Sequence, residues 1–255
     1  MLLVKATAVD LRNLNMLNEK LCDAYCKILE DVDQKFFDAR EPDGGRPAEL
    51  SGLFVTSVSD AYAESKNKIM IIGSETAGWN VLKEGERFQC LESYVRRAMN
   101  KHKNYFEREM ARRNSQGYSF HNFTRAVAKR CGKEGLIYSN LFCFDWKHGS
   151  PINSPHFDTI RRYSEPLLKK QIEILKPDII IFANGMVSVS HRREYFPLNE
   201  CLNGRDYSVK GIPNRHLWEF DLRGRIRSFR IHHPSARAKA AASARTYLLT
   251  LLPST

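Results

Sequence analysis

Apolar positions along this chain follow two rhythms. Between Leu11 and Arg40, the residues Leu14, Leu17, Leu21, Ala24, Tyr25 and Leu29 recur at three- and four-residue steps, the spacing of one buried helical face. The stretch Glu41-Pro42-Asp43-Gly44-Gly45-Arg46-Pro47 ends that pattern, because Pro and Gly disfavour helix and Asp-Gly-Gly favours a turn. Four short apolar runs follow: Ile69–Ile72, Leu136–Phe144, Asp178–Ala183 and Phe229–Ile231. They lack polar alternation, which suits strands covered on both faces, as in a parallel sheet. Helical patterns lie between them, the clearest from Asp158 to Lys176, with Ile160, Leu167, Leu168, Ile172 and Leu175 on one side. Its end, Leu175-Lys176-Pro177-Asp178, reads as a helix stop feeding the next strand. An Ala-rich helix from Lys239 to Leu249 closes the chain.

This alternation predicts an α/β fold, a three-layer αβα arrangement around a central, mostly parallel four-stranded sheet. One domain is expected over residues 1–255, with residues 1–50 as an N-terminal helical extension serving as a lid or flank and residues 51–255 as the αβα core. Parallel strands place their C-termini and following loops along one rim, where such folds hold their sites.

Composition narrows the classes. With 255 residues, 42% of them apolar, the chain can bury a core without disulfides or metals. Forty Lys and Arg against 29 Asp and Glu give a formal charge of +11, which suggests a polyanionic partner, either nucleic acid or an acidic membrane surface. No apolar stretch approaches the about 18–20 residues that cross a bilayer. Met1-Leu2-Leu3-Val4-Lys5 lacks a basic leader and meets Asp10 too early for a signal peptide. The six cysteines are scattered, without a CxxC pair or a zinc-like Cys/His spacing. A cytoplasmic protein with reduced thiols is expected.

Three strand ends carry candidate chemistry. The first run opens into Gly73-Ser74-Glu75-Thr76-Ala77-Gly78, a Gly-bounded loop in which backbone can approach a ligand and Glu75 can face it. Glu75 could equally cap a following helix. The middle strand holds Asn140 in an apolar run, where it either ties strands together or reads a pyrimidine edge. The last strand ends His232-His233-Pro234-Ser235-Ala236-Arg237. Paired histidines can ligate metal, but no third ligand is suitably spaced, and a core histidine is the plainer alternative. Ten Lys or Arg lie between Arg96 and Arg130, and ten more between Arg205 and Arg245, including Arg223, Arg225, Arg227 and Arg230 before the histidine turn. Beside a rim they would hold DNA phosphates; otherwise they form a solvated basic face.

Together these motifs resemble the uracil-DNA glycosylase superfamily over about Ile69 to Leu249. The His-Pro-Ser-x-Arg pattern is most similar to its single-strand-selective (SMUG-type) branch. The resemblance implies a DNA glycosylase acting on single- or double-stranded DNA without cofactor or metal. It implies Glu75 and His233 as catalytic residues. Asn140 would pair with the base edge, and Phe88, thirteen positions after Glu75, would stack on the base. Gly73 and Ala77 would border the base. Ser235, Arg237, Lys239 and Arg230 would contact DNA, with Arg237 filling the gap left by the flipped nucleotide. Glu75 replaces the family's Asp or Asn, and Ala77 stands where strict uracil enzymes carry a Tyr that blocks 5-substituents. The expected substrate is therefore uracil or a 5-modified pyrimidine, from hydroxymethyluracil to bulkier bases such as hypermodified phage cytosine. Its setting would be base-excision repair or antiviral defence. The alternatives are a non-catalytic DNA or modified-base binding module on the same fold, and an enzyme acting on free nucleotides or RNA bases.

Overall fold

The computed structural model describes residues 8–38, 46–47, 49–83, 85–117 and 119–255, with side chains from residue 16 onward. Helix α1 (Ala8–Leu29) precedes strand β1 (Ile69–Gly73), and α2 (Leu91–Ala111) and α3 (Ser119–Cys131) lead to β2 (Leu136–Asn140). Then come α4 (Phe157–Leu175), β3 (Ile179–Phe182), α5 (Val189–Tyr195), β4 (Cys201–Arg205), β5 (Leu217–Leu222), β6 (Ile226–Ile231) and α6 (Lys239–Leu251). The strands form one mixed sheet of order β2-β1-β3-β6-β5-β4. The first four are mutually parallel, and β5 and β4 add antiparallel pairs beyond β6.

The expectation of a four-stranded sheet is thus corrected to six strands. The two extra strands escape a search for apolar runs. β5, Leu-Trp-Glu-Phe-Asp-Leu, interleaves acids with apolar residues, and β4 is largely exposed. Glu219 is tolerated in β5 because Arg205, Arg227 and Tyr207 all bond its carboxylate.

Alternate residues of the parallel strands feed two cores, as a period of two requires. Met70, Ile72, Ile180 and Phe182 face α1, α2 and α4, whereas Ile69, Ile71, Ile179, Ile181, Phe229 and Ile231 face α3 and α6. Helices therefore cover both faces. The stop after α4 falls where the sequence places it, with Lys176 in the left-handed region at φ 47.

α1 ends at Leu29, well before Arg40, and Asp33 then caps a short 3-10 turn by accepting from the Lys35 N–H. The turn over Glu41–Gly45 and the Leu14 side chain lie outside the described residues. Leu21, Cys22, Tyr25 and Leu29 sink into the same core as Tyr94 and Tyr163. The run read as Leu136–Phe144 is strand only to Asn140, though 141–144 stays buried. Residues 51–58, all buried, cover the edge of β2: Ser51 and Phe54 donate to the Asp145 and Cys143 carbonyls, and Thr56 Oγ1 to that of Tyr138. No helix among the described residues is long and apolar enough to cross a membrane.

Candidate functional site

The parallel register sets Gly73 opposite Asn140, so the loops leaving β1 and β2 start side by side. A cleft of about 1080 Å³ opens there, and Gly73, Glu75, Ala77, Asn140 and His233 all line it. Residues far apart in sequence meet because all four parallel strands end on this rim.

The β1 loop is held from below by Asp145. Its buried Oδ2 accepts from Thr76 Oγ1 at 2.6 Å, the Gly78 N–H at 2.9 Å and the Trp79 N–H at 3.4 Å. Ser74 Oγ donates to Ser188 Oγ at 3.3 Å, tying this loop to the one after β3. Glu75 caps no helix, since the next one starts at Leu91. Its Oε2 is buried without a partner, and its pKa is raised, mainly by burial, with Asp145 adding and a Ser74 hydrogen bond opposing.

Asn140 does not tie strands together. Its Nδ2 donates to the Tyr138 hydroxyl within its own strand at 3.3 Å, and Oδ1 is buried and unpartnered. Gly73 leaves room for the amide, because a Cβ on it would lie 2.5 Å from Asn140 Oδ1 and 3.2 Å from the Phe120 ring and would displace the Asn140 side chain.

His233 is held by its own turn. The Ser235 N–H donates to its Nδ1 at 3.3 Å, and Ser235 Oγ lies 2.7 Å away. A neutral imidazole accepting at Nδ1 carries its proton on Nε2, so the free nitrogen is a donor. Burial and Arg245 lower its pKa, favouring that neutral form. The ring stacks on Phe120 at 6.0 Å.

Phe88 does not reach the cleft. It stacks on Phe37 at 5.3 Å and packs near Tyr94 at 5.9 Å, while its N–H donates to Asp38. The aromatic surface in the cleft comes from Phe120, Tyr138, Tyr105 and Trp79. Arg230 is also corrected: it is buried, and its guanidinium donates to the Arg215 and Asn214 carbonyls. Arg237 and Lys239 are exposed, as is Ser235, on the turn entering α6.

The cations divide by location, although on the cleft side Arg97 also pairs with Glu86 and Lys101 Nζ donates to the Asn80 carbonyl. Arg97, Lys101 and Arg108 face the cleft with Asn104 and Tyr105, forming one stripe of α2. Lys101 lies 4.9 Å from the Trp79 ring centroid. Others serve the fold: Arg96 grips Glu19 and Glu92, and Arg130 donates to the Leu252 carbonyl. Arg223 pairs with Glu200 and Arg227 with Glu219. Arg223 and Arg227 precede or begin β6, whose start lies at the end of the sheet away from the rim, so proximity in sequence to His233 misleads.

His121 was missed by sequence reasoning. Its Nε2 lies 2.8 Å from the Tyr105 hydroxyl, and its buried Nδ1 has no partner. Its helical context in α3 gave no signal. His102 supports the floor, accepting at Nδ1 from the Ser57 N–H at 3.1 Å with Nε2 2.9 Å from the Tyr138 carbonyl. No described residue of α1 lines the cleft. No group of three or more His, Cys, Asp or Glu that could hold a metal occurs among the described residues. No model of a known protein family matches the chain, and none of the curated proteins compared with it matches.

Proposed function

We propose that this protein is a monofunctional DNA glycosylase of the uracil-DNA glycosylase type, removing uracil or a 5-modified pyrimidine and leaving an abasic site. One observation carries the reading: an acid, an amide and a neutral imidazole from three separate strand ends line one cleft, and Glu75 Oε2 and Asn140 Oδ1 lack partners there. Buried polar atoms without partners cost about 1–3 kcal/mol each. A ligand offering donors to both would remove that cost.

The chemistry balances without a cofactor. Water attacks C1′ as the bond to the base nitrogen breaks, and the bonding pair leaves with the base. Glu75 takes the proton from water and stabilises the cationic sugar. His233 Nε2–H donates to the base carbonyl and stabilises the departing anion. Asn140 reads the base edge, and Phe120 replaces Phe88 as the stacking surface. Ala77 leaves room at the 5-position, and the cleft is far larger than one pyrimidine. Exposed Arg237 and Lys239, four and six residues after His233, contact the DNA, and Arg237 fills the emptied stack in duplex substrates.

Oligonucleotides carrying uracil, hydroxymethyluracil or a bulkier 5-modified cytosine, in single strands and duplexes, provide the test. Base release followed by mass spectrometry, with alkali cleavage at the abasic site, is the expected outcome. Absence of release from every substrate overturns the proposal.

A further inference from the structure

A second group of buried, unpartnered polar atoms lies on the same rim, outside the cleft. Leu217 of β5 pairs with Ile231 of β6, so residues entering β5 stand beside those leaving β6. There the His216 and His232 rings lie 4.6 Å apart, and Arg215 Nε donates to His216 Nε2 at 3.2 Å. Arg230 spans the same end, donating to the Arg215 carbonyl, to the Asn214 carbonyl at 3.0 Å and to Asn214 Oδ1 at 3.3 Å. Below it Arg192 is buried, its guanidinium 5.5 Å from the Phe182 ring centroid. Arg192 Nε and Nη1, His216 Nδ1 and His232 Nε2 are all buried without partners.

These groups share one sign of charge. Among the described residues, none of Arg192, Arg193, Arg215 and Arg230 pairs with a carboxylate. The acids on the same elements are engaged elsewhere: Glu194 with Arg161 and His191, and Glu219 with Arg205 and Arg227. Burial, then Arg192 and Arg193, push Arg230 down to about 10. Burial and the neighbouring cations depress both His216 and His232, a hydrogen bond to Arg215 backbone alone opposing this for His232. Clustered cations without a counter-ion destabilise one another, and an anion reverses the sign of that interaction. Because Arg215 donates into His216 Nε2, neutral His216 carries its proton on the unpartnered Nδ1, leaving a donor unused.

We propose that this cluster is a seat for a phosphodiester of the DNA strand, beside the nucleotide held in the cleft. The choice of DNA as the source rests on the glycosylase reading; the preference for a phosphate rests on the cluster itself. His232 and His233 are consecutive, so a strand that delivers a base to His233 carries a neighbouring phosphate across His232 and Arg215. Exposed Arg215 and Arg193 make the outer contacts. Arg230 is a positioning residue that fixes the 214–215 backbone, and the histidines beneath gain protons as the anion arrives.

The test uses the full chain and two readouts that do not require catalysis. Imidazole NMR titrations are run with inorganic phosphate and with a short single-stranded oligonucleotide. Both ligands should make His216 and His232 titrate at higher pH. Arg215→Ala and Arg193→Ala, both at exposed positions, should each weaken oligonucleotide binding roughly tenfold, and the salt dependence should fall by about one counter-ion. A neutral methylphosphonate at the linkage beside the target base should weaken binding to the unaltered protein but add nothing in Arg215→Ala. Histidines that respond to neither ligand overturn the proposal. A response to inorganic phosphate with oligonucleotide affinity independent of Arg215 overturns the assignment to DNA. If these effects appear without base release, the seat stands and the glycosylase reading falls. Base release with unchanged affinity in both variants has the opposite meaning.

Discussion

At the rim where the parallel strands end, Glu75 Oε2, Asn140 Oδ1 and His121 Nδ1 lie buried without partners. At the other end of the sheet, comparable charges are matched: Arg227 meets Glu219 and the Leu251 carbonyl, Arg223 meets Glu200, and Arg130 meets the Leu252 carbonyl. Both regions are basic, so charge alone does not distinguish them. What distinguishes the rim is that its cations stand beside buried acid, amide and imidazole atoms that lack partners. Matched groups hold the fold, whereas unmatched buried polar groups at a concave surface are ones a ligand could satisfy.

The largest expected difference is chemical. Glu75→Gln should slow base release about 1000-fold while DNA binding, measured by fluorescence anisotropy, persists; an undiminished rate removes Glu75 from the reaction. In the unaltered protein the rate should rise with pH. Glu75 must lose its proton, and its pKa lies above the ordinary carboxylate range, while His233 must be neutral and its pKa is lowered. Both groups therefore contribute to the acid limb, and Glu75→Gln should remove the share that belongs to Glu75.

A smaller contrast separates two aromatic residues. Phe120→Ala should cost about 1–3 kcal/mol of substrate binding, the worth of stacking on a base, read as kcat/KM. Phe88→Ala should leave kcat/KM alone and cost about 2 kcal/mol of stability in urea, because the ring packs on Phe37. The reverse pattern would restore Phe88 to the site.

The smallest contrast concerns the cations. Lys101→Ala should weaken oligonucleotide binding about fivefold and flatten its salt dependence. Arg227→Ala should leave binding unchanged and cost about 2 kcal/mol of stability, since it strips a partner from buried Glu219. Equal effects on binding would erase the distinction between the two ends of the sheet.

The parallel half of the fold was legible because its strands are covered on both faces, which leaves runs such as Ile69–Ile72 without polar interruption. β4 and β5 were not, because Glu219 and Asp221 are kept in the edge region by partners distant in sequence. In the site, Glu75, Asn140 and His233 could be read from strand ends. Phe88 could not be excluded by spacing alone, since the ring it stacks on, Phe37, lies about fifty residues earlier in the chain. Residues 97, 101, 104, 105 and 108 form a stripe visible at helical periodicity, which counting charges over Arg96 to Arg130 obscured.

His102 sets an acid boundary. Fully buried, it is depressed to about 4 from an ordinary 6.5. The folded state is at full strength above pH 6.5 and loses about 3 kcal/mol as the solution is acidified toward 4. Protonation makes Nδ1 a donor that can no longer accept from the Ser57 N–H, although Ser57 Oγ, 3.0 Å away, can accept from it, so the strap over the β2 edge beneath Asn140 is weakened. Denaturation midpoints compared at neutral and mildly acidic pH would mark where structural collapse, instead of titrating chemistry, begins to silence the protein.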